Sequence, residues 1–133
     1  MDSFDIVDSY FCKVCELPEA ELDSASLSIV EVWHSSGLIG NGGLHSYLCS
    51  VGDQAYSVAD HYRFSGLHDA AKLIAKATDL WRQYWPTGPA DDSEPDAFRS
   101  QFGEELDKIE SEYFELKDGF ADKLAEIIPN SKQ

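Results

Sequence analysis

Seven apolar residues near the end of the chain, Leu106, Ile109, Tyr113, Leu116, Phe120, Leu124 and Ile127, follow one another at steps of three or four. That spacing returns each side chain to one face of an α-helix, and acids fill the positions between them until Pro129. The segment predicts a long amphipathic helix lying on a core. Gly119 stands inside it, placed either to bend the run or to break it into two helices.

The same period recurs upstream. Phe4, Val7, Phe11 and Val14 predict a first helix over residues 3–16, stopped by Leu17-Pro18. Asp23 or Ser24 can cap a second, through Leu27, Val30 and Trp33, that ends near Gly37. Asn41 can cap a short third helix through Leu44, Tyr47 and Leu48, closing at Gly52. Asp53 then caps a fourth, with Ala55, Val58, Ala59 and Tyr62 on one face and Gly66 at its end. Leu67, Ala70, Ala71, Ile74, Thr78 and Trp81 mark a fifth. The stretch WPTGPADDSEP, Trp85 to Pro95, reads as a loop because it carries three prolines and a glycine. There is no strand-like alternation, internal repeat or low-complexity tract. The expected fold is all-α, a single-domain bundle of six or seven helices spanning residues 1–133.

A chain of 133 residues buries about two-thirds of its unfolded surface without disulfides or metal. Its three cysteines, Cys12, Cys15 and Cys49, are an odd number that suits a reducing compartment. No apolar run reaches the roughly 20 residues of a membrane span. The opening MDSFDIVDSYF has acids where a secretory leader needs bases. A cytoplasmic protein without membrane attachment is expected.

The net charge of −15 is unevenly spread. Residues 1–33 hold eight acids against Lys13, residues 34–90 are balanced at four and four, and residues 91–126 hold thirteen acids against four bases. Such a surface repels nucleic acid, phosphate and anionic membrane, and attracts basic proteins within a screened range of about 8–10 Å. Direct nucleic-acid binding is therefore not expected.

Motifs that would carry chemistry are weak. Cys12 and Cys15 with His45 and Cys49 form a set of four zinc-type ligands. The CxxC falls inside a helix, however, rather than after a strand at a helix start, and Cys15 borders the apolar stripe, where a thiol packs as a small hydrophobe. The histidines make no HExxH, and GNGG follows a helix instead of a strand, so neither a zinc-hydrolase nor a dinucleotide fingerprint is present. No catalytic residue and no cofactor is assigned. In WRQYW, Trp81, Tyr84 and Trp85 read as packing aromatics, since a base-stacking platform needs a basic groove beside it.

The acidic run bears a sharper reading. As one continuous helix, Glu104 to Glu126 would rise about 33 Å, close to one turn of B-form DNA. It carries nine acids: Glu104, Glu105, Asp107, Glu110, Glu112, Glu115, Asp118, Asp122 and Glu126. A duplex presents about 20 charges over that length, so one helix supplies less than half the density. The acidic first helix, or a second copy across a two-fold axis, is needed to approach it.

NGGLHSYL, Asn41 to Leu48, resembles the Asn-Gly-Gly signature of a family of small helical bacterial proteins named after the neisserial DNA-mimic protein. The similarity continues through Gly52-Asp53, GLHDAAKLIAKA (Gly66–Ala77) and the closing LDKIESEYFELKD (Leu106–Asp118), and covers residues 23–128. The resemblance implies an all-α fold whose negative surface, in the namesake, imitates duplex DNA and occupies a DNA-binding transcription factor. It carries over no catalytic residue. Independently of it, Asn41 can accept from first-turn amides, while Gly42 and Gly43 admit a neighbouring backbone, so Asn41, Gly42, Gly43 and Tyr47 read as a structural corner. A bulky residue at Gly43 should then reduce stability.

The leading expectation is a non-enzymatic, protein-binding module acting in transcription regulation. Its partner-binding acidic face comprises Glu104, Asp107, Glu112, Glu115, Asp118, Asp122 and Glu126, and its partner is a basic DNA-binding protein. Binding through such a face weakens as salt rises. The alternatives are an immunity-like inhibitor of a toxin or nuclease, and a zinc-binding protein or metal-dependent enzyme built on the Cys/His set.

Overall fold

Asp2 and Asp23 each accept a hydrogen bond from the amide three residues on, at 2.9 and 2.8 Å, and these two side chains start the first two helices. The computed structural model describes residues 2–84 and 95–128. Among these, the helices are α1 (Ser3–Val14), α2 (Ser24–Val51), α3 (Gln54–Phe64), α4 (His68–Tyr84), α5 (Pro95–Lys117) and α6 (Phe120–Ile127), with a 3₁₀ turn at Glu19–Glu21. The fold is all-α, one bundle without strands among the described residues. The expected loop at Trp85 to Pro95 and the stop at Pro129 lie outside the described residues, except for Pro95, which opens α5. No described helix is long and apolar enough to cross a membrane.

Gly37 does not end α2. The helix continues through it because Ile29, Val32, Ser35, Ser36 and Ile39 are all buried on one face, which outweighs the roughly 1 kcal/mol propensity cost of a glycine. The chain bends instead at Gly43, whose φ of 82° and ψ of 169° leave helical space. Gly66, at φ 86°, closes α3: its amide bonds the carbonyl of Arg63, and that of Leu67 reaches Tyr62. The acidic run breaks after Lys117, and α6 turns to pack against α1.

One hydrophobic core draws on all six helices, with Trp81, Tyr62, Tyr113 and Phe120 its largest fully buried side chains. Phe120 sets its ring edge-on to Tyr62 and Tyr113, at 5.7 and 5.3 Å between centroids. The buried hydroxyls are paired, as burial requires: Tyr62 meets Tyr113 at 2.7 Å and Ser35 at 2.9 Å, and Ser35 donates to the Val32 carbonyl. Burial pushes Tyr113 up to about 12 and Tyr62 well above its ordinary value. Trp81 is 1% exposed and Tyr84 packs edge-on to Phe102, so these two serve the core and offer no stacking platform. Trp85 lies outside the described residues.

Candidate partner-binding surface

The Asn-Gly-Gly stretch holds the kink of α2, at Gly43. The amide of Leu44, the first donor of the second half of α2, gives its hydrogen bond to Oε1 of Glu110 on α5 at 2.7 Å. A helix start with exposed amides favours a carboxylate on both hydrogen-bonding and dipole grounds. A Cβ on Gly43 would stand 2.6 Å from that oxygen. Glycine therefore serves twice at this position, allowing the backbone angles and leaving room for the cap. Asn41, expected to cap, is an exposed residue within α2, and the capping acid lies 66 positions beyond Leu44 in the chain. A Cβ on Gly42 would meet Ser46 at 3.1 Å, and Tyr47 is buried at the core end of the corner. Burial and the charge of Glu31 raise Tyr47 far above the ordinary phenol range.

Glu110 is thereby withdrawn from the acidic array, and the remaining acids are exposed. Phe102, Leu106, Ile109 and Tyr113 face inward, leaving Glu104, Asp107, Glu112 and Glu115 on the solvent side of α5. Glu104 to Glu115 spans about 16 Å of helix. Asp118 sits at the break, and Asp122 and Glu126 are exposed on α6. The continuous 33 Å rod does not form. In its place, α6 packs against α1, so a helix that opens with Asp2, Asp5 and Asp8 lies beside the one that carries Asp122 and Glu126.

Beside the break lies an open groove of about 740 Å³ between the start of α1, the middle of α2 and the α5–α6 junction. Phe4, 57% exposed, tilts against Trp33 at 5.1 Å between ring centroids, and the Trp33 indole donates to Asp8 at 3.0 Å. Ser36, Gly37, Lys117, Asp118, Phe120 and Ala121 complete its wall.

The zinc-type set is not gathered. His45 and Cys49 approach each other, Nε2 to Sγ, at 3.8 Å on α2, while Cys12 and Cys15 are exposed at the far end of α1. No three His, Cys, Asp or Glu side chains among the described residues come together to hold a metal ion. Slight desolvation and the neighbouring Cys12 raise the exposed Cys15 thiol, the reverse of activation.

The arrangement of α2 through α6, with its bent second helix capped from the fifth, coincides with the span recognised by a family model. The model described as DMP19-like protein matches residues 20–130. The chain belongs to the DMP19-like family. No curated protein and no solved structure matches it. The DMP19-like span begins after α1, so Phe4 and Asp8 of the groove are supplied by a helix outside the family match. Two features escaped sequence reasoning: the groove and the role of Glu110. The second had a signal, since Glu110 directly follows a core position and lies at the margin of the apolar stripe, where a carboxylate can turn inward.

Proposed function

We propose that this DMP19-like chain is a non-enzymatic, protein-binding module whose carboxylates imitate the phosphates of duplex DNA and occupy a basic DNA-binding protein, such as a transcription factor. The observation that carries this reading is the packing of α6 on α1, which sets acid-bearing helices from the two ends of the sequence side by side. Lysine and arginine side chains that pair with phosphates pair equally with carboxylates, and arginine does so through two parallel hydrogen bonds. Binding is competitive with DNA, and a second copy of the chain across a two-fold axis would extend the array.

The test is capture from lysate of the source cell at low salt, followed by stepwise salt elution and identification of the eluted protein. A DNA-binding protein released near the salt that frees it from DNA supports the reading. Replacing Glu112, Glu115 and Asp118 together by lysine should weaken capture at least tenfold and flatten the salt dependence, with melting unchanged. Capture that is insensitive both to salt and to this charge reversal would overturn it. Elution of a nuclease in place of a transcription factor would assign the same surface to toxin inhibition.

A further inference from the structure

We propose that the groove between α1, α2 and the α5–α6 break is an arginine-binding hot spot, taking one arginine side chain of the basic partner. The inference rests on the acidic-surface reading and names the contact that gives it selectivity.

The chemistry of the walls points to that side chain. The exposed Phe4 is tilted against the partly buried Trp33, and an exposed phenylalanine held against a tryptophan is a surface that a guanidinium plane can stack upon. Carboxylates stand at two edges. Asp8 is oriented by the indole of Trp33, which occupies Oδ1 and leaves the other oxygen, while Asp118 lies at the helix break. Lys117, the one cation in the described lining, has its ammonium 5.8 Å from the Phe114 ring and lies over Gly40. The charge complementarity is with a cation, in a molecule whose net charge is −15.

Arginine fits better than lysine. Its weakly hydrated, planar head loses less on entering an aromatic groove, and its fork matches a carboxylate, whereas an ammonium stays in water. The apolar stem would lie against the partly buried Ala121 and the open face at Gly37. Gly37 shapes the entrance: a Cβ there meets nothing within 4 Å. A larger side chain at this lining position starts from open space and should narrow the groove mouth.

The experiment compares hexa-arginine and hexa-lysine peptides as probes of equal charge, with binding measured by calorimetry and the Trp33 indole N–H followed by NMR. Hexa-arginine should bind about fivefold more tightly, the excess being that of one stacked guanidinium, and should shift the Trp33 indole signal. Gly37→Phe should abolish both the preference and the indole shift while leaving hexa-lysine binding in place and without lowering the melting temperature. Phe4→Ala, at an exposed side chain, should reduce the preference independently of any effect at Gly37. Equal, salt-sensitive binding of both peptides with no indole shift overturns the arginine site and leaves the acidic surface standing. Failure of both peptides to bind at low salt overturns both readings.

Discussion

The corner at Gly43 makes a quantitative claim about two residues far apart in the chain. Glu110→Ala removes the acceptor for the Leu44 amide, a charged cap at 2.7 Å, and should cost about 1.5 kcal/mol. Gly43→Ala carries two costs. At φ 82° and ψ 169° the backbone lies in a region essentially reserved for glycine, which costs roughly 2 kcal/mol, and the new Cβ, placed 2.6 Å from the Glu110 carboxylate, displaces the cap for about 1.5 more. In the double variant there is no carboxylate to displace, so only the strain adds to the missing cap. The two single losses then sum to about 5 kcal/mol, while the double variant loses about 3.5, a coupling of about 1.5 kcal/mol. Urea unfolding at constant m-value measures all four corners of this cycle. Additivity within about 0.5 kcal/mol would refute the shared role and reduce Gly43 to a bend with an unrelated hydrogen bond nearby.

Other consequences are simpler. Gly37→Ala, at a helical position where the Cβ meets open space, should stabilise by about 0.5–1 kcal/mol and raise the melting temperature by a few degrees. Tyr113→Phe removes a 2.7 Å bond yet leaves the Tyr62 hydroxyl paired with Ser35, so equilibrium unfolding should show a loss of about 1 kcal/mol. Stability should also fall in alkali. Tyr113 titrates near 12 when folded and near 10 when unfolded, so the contribution of its neutral form is fully present below pH 10 and is lost as pH rises through about 12. Urea midpoints at pH 9 and pH 11 check this, and the difference between them should shrink in Tyr113→Phe.

The helices were legible because their cause is local. The apolar steps over residues 67–81 and 106–124 identified core positions that are indeed buried, among them Ala70, Ala71, Ile74, Trp81, Leu106, Ile109 and Tyr113. What escaped was whatever depended on a distant partner. Whether Gly37 or Gly43 interrupts α2 is decided by the Ile29–Ile39 face, whose burial only the packed bundle fixes, and by Glu110, far from the motif in sequence. Asn41 satisfied every local requirement for a cap and lost the position to a carboxylate from α5. The acids of the surface were readable as residue types, but their neighbours were not: that α1 would lie on α6 follows from Val7 and Leu124 seeking the same core.

The break at Gly119 was expected from the residue, and the structure assigns it a different cause. Gly119 has φ −88° and ψ −6°, angles open to any amino acid, and a Cβ there would meet only the Leu116 carbonyl at an ordinary 3.6 Å. Glycine's freedom is not being used. The turn is instead driven by Phe120 and Leu124, which enter the core between Tyr62, Tyr113 and the α1 face only if α6 leaves the axis of α5. Gly119→Ala should therefore keep the break, with stability changed by less than about 0.5 kcal/mol and salt-dependent partner capture unaltered. Phe120→Ala should cost about 3–5 kcal/mol and loosen α6 from α1, weakening capture even though every acid remains. If Gly119→Ala instead raised helical circular dichroism and altered capture, glycine itself would be setting the turn. If capture survived the loosening of α6 in Phe120→Ala, the acids of α5 alone would suffice and the joined α1–α6 face would have no part in binding.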